Sequence, residues 1–161
     1  MKIFIAAGHN DKNIDTGATG NGLKEQDITF VISYLLAQKL KAVDVDVKLS
    51  REKKETIIGT DLNSSLSARA KMANDWGAKL FISIHCNAFI NSEANGTETY
   101  TYGTTSKAYE LSKKLCDAIS AKIGTYNRGA KTAKYAVLKK TSMSAILIET
   151  AFITNPNDAM K

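Results

Sequence analysis

The chain has 161 residues, 43% hydrophobic and 24% charged, with two histidines, two cysteines, one proline and a formal net charge of +6. That size suits one domain that buries an apolar core without disulfide staples, and the balance excludes a disordered, collagen-like or cysteine-rich chain. No apolar stretch approaches the ~20 residues of a membrane-spanning helix, and the opening run to Ala7 is too short, and lacks the basic region and cleavage site, to be a signal peptide.

Taken in order, residues 2–7 form a nearly unbroken apolar run that stops at Gly8-His9, which predicts a buried strand with His9 just past its carboxyl end. Asn10 to Gly22 holds three glycines among Asn, Asp and Thr and is expected to be a long loop, a kind of segment that is usually functional. Ile28, Val31, Ile32, Leu35 and Leu36 recur at helical spacing, so a helix is expected over 25–42 with Glu25 in its first turn. Val43, Val45, Val47 and Leu49 alternate with Asp44, Asp46 and Lys48, the pattern of a half-exposed or edge strand. Leu62, Leu66, Arg69, Ala70 and Ala73 outline a second helix ending near Trp76-Gly77. Lys79 to Ile84 is a second buried strand, ending at His85. Gly96 to Tyr102 reads as a strand, and Ala108, Leu111, Leu115, Ala118, Ile119 and Lys122 mark a third helix. Tyr135 to Lys139 is a short strand candidate, and Ala145 to Ile148 a buried strand ending at Glu149. Strands alternating with helices predict one α/β domain over 1–161, a twisted, mostly parallel sheet with helices on both faces.

Parallel sheets gather their sites at the carboxyl ends of strands. Both histidines, His9 and His85, directly follow apolar strands; Glu149 ends another, and Glu25 opens the first helix. A lone histidine at a strand end is more often a hydrogen-bonded structural residue than a ligand. The four together supply what a catalytic zinc site needs, three His or carboxylate ligands with an open fourth position, plus one carboxylate left off the metal as general base. Composition alone does not say which glutamate is which. Cys86 and Cys116 form no Cys-x-x-Cys pair and are expected to be buried free thiols.

Gly8-His9, Asp15-Thr16-Gly17-Ala18, Gly22-Leu23-Lys24-Glu25, Ser83-Ile84-His85-Cys86-Asn87-Ala88, Asn127-Arg128-Gly129-Ala130-Lys131 and Leu147-Ile148-Glu149 through Asn155 closely resemble, in this order, the zinc-dependent N-acetylmuramoyl-L-alanine amidases of the amidase-3 type. The resemblance implies one zinc ion bound by His9, Glu25 and His85, with Glu149 as the catalytic carboxylate and peptidoglycan as the substrate. It leaves Asn87 either orienting substrate or capping a turn. Departures from the pattern are Asn10 where glycine is usual, Cys86 for alanine, Ser144 for proline and Ala151 for glycine. The ending also departs, since the family's domain usually continues into a further helix; a terminal helix and any wall-binding domain are expected to be absent. With no signal peptide, synthesis in the cytoplasm and release to the wall, as in a phage or prophage endolysin, is the implied route, with the chain as a monomer.

Residues 103–141 hold nine Lys or Arg against Glu110 and Asp117, a local net of +7. Such a stretch suits an anionic cell-wall polymer, or else a solvated surface. A nucleic-acid-binding module is the rival of another class; it lacks aromatics at a stacking spacing, and nucleic acid is not the expected partner. A zinc exopeptidase of similar α/β build is the nearest enzymatic rival, and would generally want more carboxylate ligands and a second metal. Arg51 and Arg69 are expected to pair structurally with nearby acids.

Overall fold

The apolar runs read as buried strands lie side by side at the centre of one six-stranded sheet. The computed structural model describes residues 1–10, 14–105 and 107–161. In chain order the elements are β1 (Lys2–Ala7), β2 (Thr19–Gly20), β3 (Leu23–Lys24), α1 (Glu25–Lys41), β4 (Asp46–Leu49), α2 (Leu62–Asp75), β5 (Leu80–Asn87), β6 (Thr97–Thr101), α3 (Lys107–Ile123), β7 (Asn127–Thr132), α4 (Ala136–Lys140), β8 (Ser144–Phe152) and α5 (Pro156–Ala159). The sheet order is β4-β1-β5-β8-β6-β7. Every neighbouring pair is parallel except β6 against β8. The three most apolar strands, β1, β5 and β8, are therefore central and covered on both faces, as their unbroken hydrophobicity requires.

Alternate residues of these strands feed two cores. Ile3, Ile5, Ile82, Ile84, Ile146 and Ile148 pack toward α1 and α3, whereas Phe4, Phe81, Ala145 and Leu147 pack toward α2 and α4. The Phe4 and Phe81 rings stack at 5.8 Å between centroids. Asp61 caps α2, its side chain accepting from the Ser64 N–H at 2.8 Å while the Ser64 hydroxyl accepts from the Asp61 N–H at 3.0 Å. Reciprocal capping satisfies two backbone donors that the first turn leaves without partners. Among the described residues no helix is long and apolar enough to cross a membrane.

Four local differences from the sequence reading have physical causes. The loop expected from Asn10 to Gly22 includes residues 11–13, which lie outside the described residues; at its far end β2 and β3 form a hairpin around Asn21-Gly22, both at positive φ. Tyr135 to Lys139 is not a strand, because α4 buries the adjacent Val137 and Leu138 on the same side, which strand alternation forbids. β7 has almost no apolar residues and escaped notice as an edge strand. In α1 the stripe facing the sheet is Thr29, Ser33 and Ala37, small enough for close approach, while Val31 and Leu35 are exposed. Ile32 and Leu36 also pack against the core, and with Ile28 they line an apolar groove of about 600 Å³ shared with Leu115 and Ile119 of α3.

Candidate active site

β1 ends where Gly8 donates its N–H to the Ile84 carbonyl at 2.9 Å. A Cβ on Gly8 would lie 2.6 Å from His85 Cε1 and from the Ile84 oxygen, so glycine is what lets the β1 terminus meet the end of β5. His9 then turns at φ 64°, a conformation that costs a non-glycine residue about 1 kcal/mol or more. Buried Arg69 over-determines it, donating to the carbonyls of Ala7 and His9. Asn10 is fully buried, donating to the Ile58 carbonyl at 2.8 Å and to Ser65 Oγ at 3.0 Å, and accepting from Arg69 at 3.1 Å. That asparagine thereby ties the end of β1 to α2. Arg51 donates to the carbonyls of Lys54, Gly8 and Gln26. Arg69 Nη2 lies 3.8 Å from Asp15 Oδ2.

Three side chains from distant parts of the chain converge. His9 Nε2 lies 3.0 Å from Glu25 Oε1, His85 Nδ1 lies 3.1 Å from the same oxygen, and the two histidine nitrogens are 3.2 Å apart. Each is aimed by a partner at its other atom. His9 Nδ1 meets Asp15 Oδ1 at 2.6 Å, His85 Nε2 meets Ser83 Oγ at 3.1 Å, and Glu25 Oε2 accepts from the Ala18 N–H at 2.8 Å. Glu25 is the first residue of α1, where the helix dipole favours a carboxylate, and its Oε1 also accepts from the Cys86 N–H at 3.0 Å. The sequence reading named the three converging residues and missed Asp15 and Ser83 as their supports. No spacing signal pointed to these supports, which lie six and two residues from the histidines they orient.

Glu149 stands abreast of His85 in the parallel β5–β8 register, and Glu98 of β6 stands abreast of Glu149 on the other side. Neither β5 nor β8 ends at its site residue; both continue, to Asn87 and Phe152, so His85 and Glu149 sit on rigid strand rather than on loops. Glu149 Oε2 is buried and makes no hydrogen bond among the described residues. Burial, then the negative charges of Glu25 and Glu98, push this carboxyl up to about 8. Burial opposes a charge on His9, yet Asp15 and Glu25 together push its imidazole up to about 9. The His85 imidazole is held below its ordinary range, with burial the main cause. Burial raises Cys86 to about 12, and both cysteines are free and buried.

These observations fit a divalent cation. Donors bonded at about 2.0–2.1 Å in a tetrahedral shell lie about 3.3 Å apart, close to the three distances found here. Two imidazole nitrogens and a carboxylate oxygen form a donor set suited to zinc. A pocket that draws a proton onto His9 between two carboxylates is also one whose field favours positive charge. Among the described residues this is the one group of three that could hold a metal. His9, Glu25, His85 and Glu149 open into a cleft of about 300 Å³, which Asn87 and Tyr135 also line. The Asn87 amide donates to Glu98 Oε1, and its own oxygen accepts from the Ala88 N–H at 2.9 Å. Glu98 is buried, with Arg128, Lys131 and the Tyr100 hydroxyl on its carboxylate.

The chain is 43% identical over 163 residues to the N-acetylmuramoyl-L-alanine amidase LytC of Bacillus subtilis, covering 99% of this chain and 31% of that protein. It is 38% identical to the endolysin of Bacillus phage SPP1, over 98% of this chain and 56% of that protein. The fold superposes on N-acetylmuramoyl-L-alanine amidase AmiC2 of Nostoc punctiforme with a TM-score of 0.86 at 32% identity, covering 99% of this chain and 84% of that one. The chain spans between 31% and 60% of the length of the first curated relatives it matches. The sequence profile of the Amidase_3 family, described as N-acetylmuramoyl-L-alanine amidase, matches residues 3–161, and the chain belongs to that family.

Proposed function

We propose that the chain hydrolyses the amide bond between N-acetylmuramic acid and L-alanine in peptidoglycan, using one zinc ion held by His9, Glu25 and His85 and the carboxylate of Glu149. The observation that carries this reading is the convergence of three donor atoms within 3.2 Å of one another beside a buried carboxylate oxygen without a partner. Zinc, when bound there, supplies Lewis-acid polarisation of the scissile carbonyl and makes water acidic enough to react near neutral pH.

The chain's own residues do the rest. Asp15 and Ser83 fix the rings of His9 and His85 so that one nitrogen of each faces the cleft. Glu149 takes the proton of the attacking water on its free oxygen and returns it to the departing L-alanine amine, so that the carboxylate is regenerated at each turnover. A general base works best when its pKa lies near the working pH, and burial has already lifted Glu149 toward that range. Asn87, on the cleft wall and oriented by Glu98, is placed to contact the substrate. The lysines of α3 and α4 give the chain a basic surface suited to an anionic wall polymer. Relatives that include a phage endolysin support a role in wall lysis after release from the cytoplasm.

The test is appearance of new L-alanine amino termini from purified peptidoglycan, with and without a chelator. Chelator-sensitive L-alanine termini are the expected result, and termini of another amino acid would overturn the assigned bond. Glu149→Ala should retain zinc and lose turnover, whereas His85→Ala should lose both. Full activity in Glu149→Ala would sink its assignment.

A further inference from the structure

Beyond the reacting centre, the site row continues across the sheet. His85, Glu149 and Glu98 stand abreast on β5, β8 and β6, and the next strand, β7, brings Arg128 and Lys131 onto the Glu98 carboxylate. One oxygen of Glu98 is taken by Asn87 and by the Tyr100 hydroxyl at 2.8 Å; the other receives Arg128 Nε at 2.7 Å and Lys131 Nζ. Glu98 itself is 3% exposed, but the side chains of Arg128 and Lys131 are 32% and 39% exposed. Two cations thus share one buried anion, leaving a net positive charge with an open face beside a cleft that Asn87 joins to the cluster.

The cations are also held still. Arg128 donates Nη1 to the Asn95 carbonyl at 3.2 Å and lies over the Phe152 ring at 5.0 Å, and Lys131 lies over Tyr100 at 6.0 Å. Arg128 Nη2 makes no hydrogen bond among the described residues, and Lys131 spends one of three donors on Glu98. Here the donors are ordered and still available, which reduces the entropy lost when a ligand arrives.

We propose that Arg128 and Lys131 recognise a free carboxylate of the stem peptide, and that they set the direction in which the peptide lies across the cleft. This inference rests on the amidase reading above. β7 lies two strands beyond Glu149, about 10 Å at about 4.8 Å per strand. An extended peptide advances about 3.3–3.6 Å per residue, so the carboxylate recognised belongs to the second or third residue from the scissile amide. The peptide side of the substrate therefore crosses β6 and β7, and the glycan lies on the opposite side of Glu149. Arg128 and Lys131 are specificity residues, and they take no part in the proton transfers.

The experiment compares two N-acetylmuramoyl tripeptides of the same sequence, one with free carboxylates on its second and third residues and one with these converted to carboxamides. Steady-state kcat/KM is measured for the wild type, Lys131→Met, Arg128→Gln and the conservative Lys131→Arg. The wild type should favour the carboxylate form by about tenfold, the scale of one charge-assisted hydrogen bond at a half-exposed site, mostly through KM. Lys131→Met and Arg128→Gln should each shrink that ratio, and Lys131→Arg should keep it. A purely structural loss would lower both substrates together and leave the ratio unchanged, which overturns the inference. Equal cleavage of both tripeptides by the wild type overturns it too, with the amidase reading intact. No cleavage of either tripeptide or of peptidoglycan refutes the amidase reading and this inference with it.

Discussion

Glu149→Gln should make the metal-free protein more stable at alkaline pH while abolishing its turnover. The substitution keeps the shape of the side chain and removes a charge that burial and the neighbouring Glu25 and Glu98 disfavour. The folded-state value of about 8 lies above the ordinary 4.5, so the fold holds a proton that the unfolded chain has released. The cost is absent below pH ~4.5, grows as pH rises between the two values, and is complete above ~8. At about 1.4 kcal/mol per pH unit the ceiling is about 5 kcal/mol, and relaxation with water entry reduces it to about 2 kcal/mol. For a chain of this length that corresponds to a Tm gain of about 4–8 °C. Urea unfolding in the presence of a chelator, at pH 8.5 and again at pH 4.5, measures it. The variant should gain at the higher pH, gain little at the lower, and lose most of its advantage when zinc is added, because a dication offsets the carboxylate. A gain of equal size at both pH values, or a more stable wild type at pH 8.5, would refute the reasoning.

Asp15→Asn should leave the fold in place and weaken zinc binding about 10- to 100-fold, read by competition with a chromophoric chelator, since it removes the charge that fixes the His9 ring. Glu98→Gln should flatten the acid limb of stability. Burial works against the ionised form of Glu98, but Lys131, Arg128 and the Tyr100 hydroxyl prevail and hold it down to about 2. Its contribution is therefore complete above pH ~4.5 and lost as pH falls toward 2, worth about 1–2 kcal/mol because both cations are partly solvated; urea midpoints between pH 5 and 2.5 check it. Asp61→Ala should cost about 1 kcal/mol through loss of the α2 cap, a Tm drop of about 2–4 °C by calorimetry.

Much of this architecture is written locally. The runs ending at His9, His85 and Glu149 are apolar enough to announce buried strands, and their order along the chain places all three at one edge of a parallel sheet. Glu25 was legible because α1 has a clear period and a clear start. What escaped was structure whose cause is not hydrophobic periodicity. The Asn21-Gly22 hairpin had a two-residue turn signature but only two residues of strand on each side. β7 pairs through its backbone and is anchored by ion pairs to Glu98, so its side chains show no apolar pattern. Asp15 and Ser83 lie six and two residues from the histidines they orient, but their roles depend on side-chain directions that only the fold sets, and Glu98 meets Arg128 and Lys131 from 30 and 33 residues away, so no spacing rule reveals them. The apolar face of α1 misled in another way: Val31 and Leu35 extended the periodic pattern but face water, because the helix lies close to the sheet over Thr29, Ser33 and Ala37.

The two outermost strands carry a further consequence. β4 is four residues long and exposes Asp46 and Lys48, while β7 shifts register near Gly129, at φ 81°, and bears Arg128 and Lys131. An unpaired strand edge is a template on which another chain can add, and β-rich proteins that leave it long and flat tend to polymerise. Here one edge is too short and the other too kinked and cationic for a second sheet to dock in register. Neutralising the lysine and arginine that hold Glu98 removes two positive charges from this outermost strand, so that double variant should be read with light scattering as well as with kinetics.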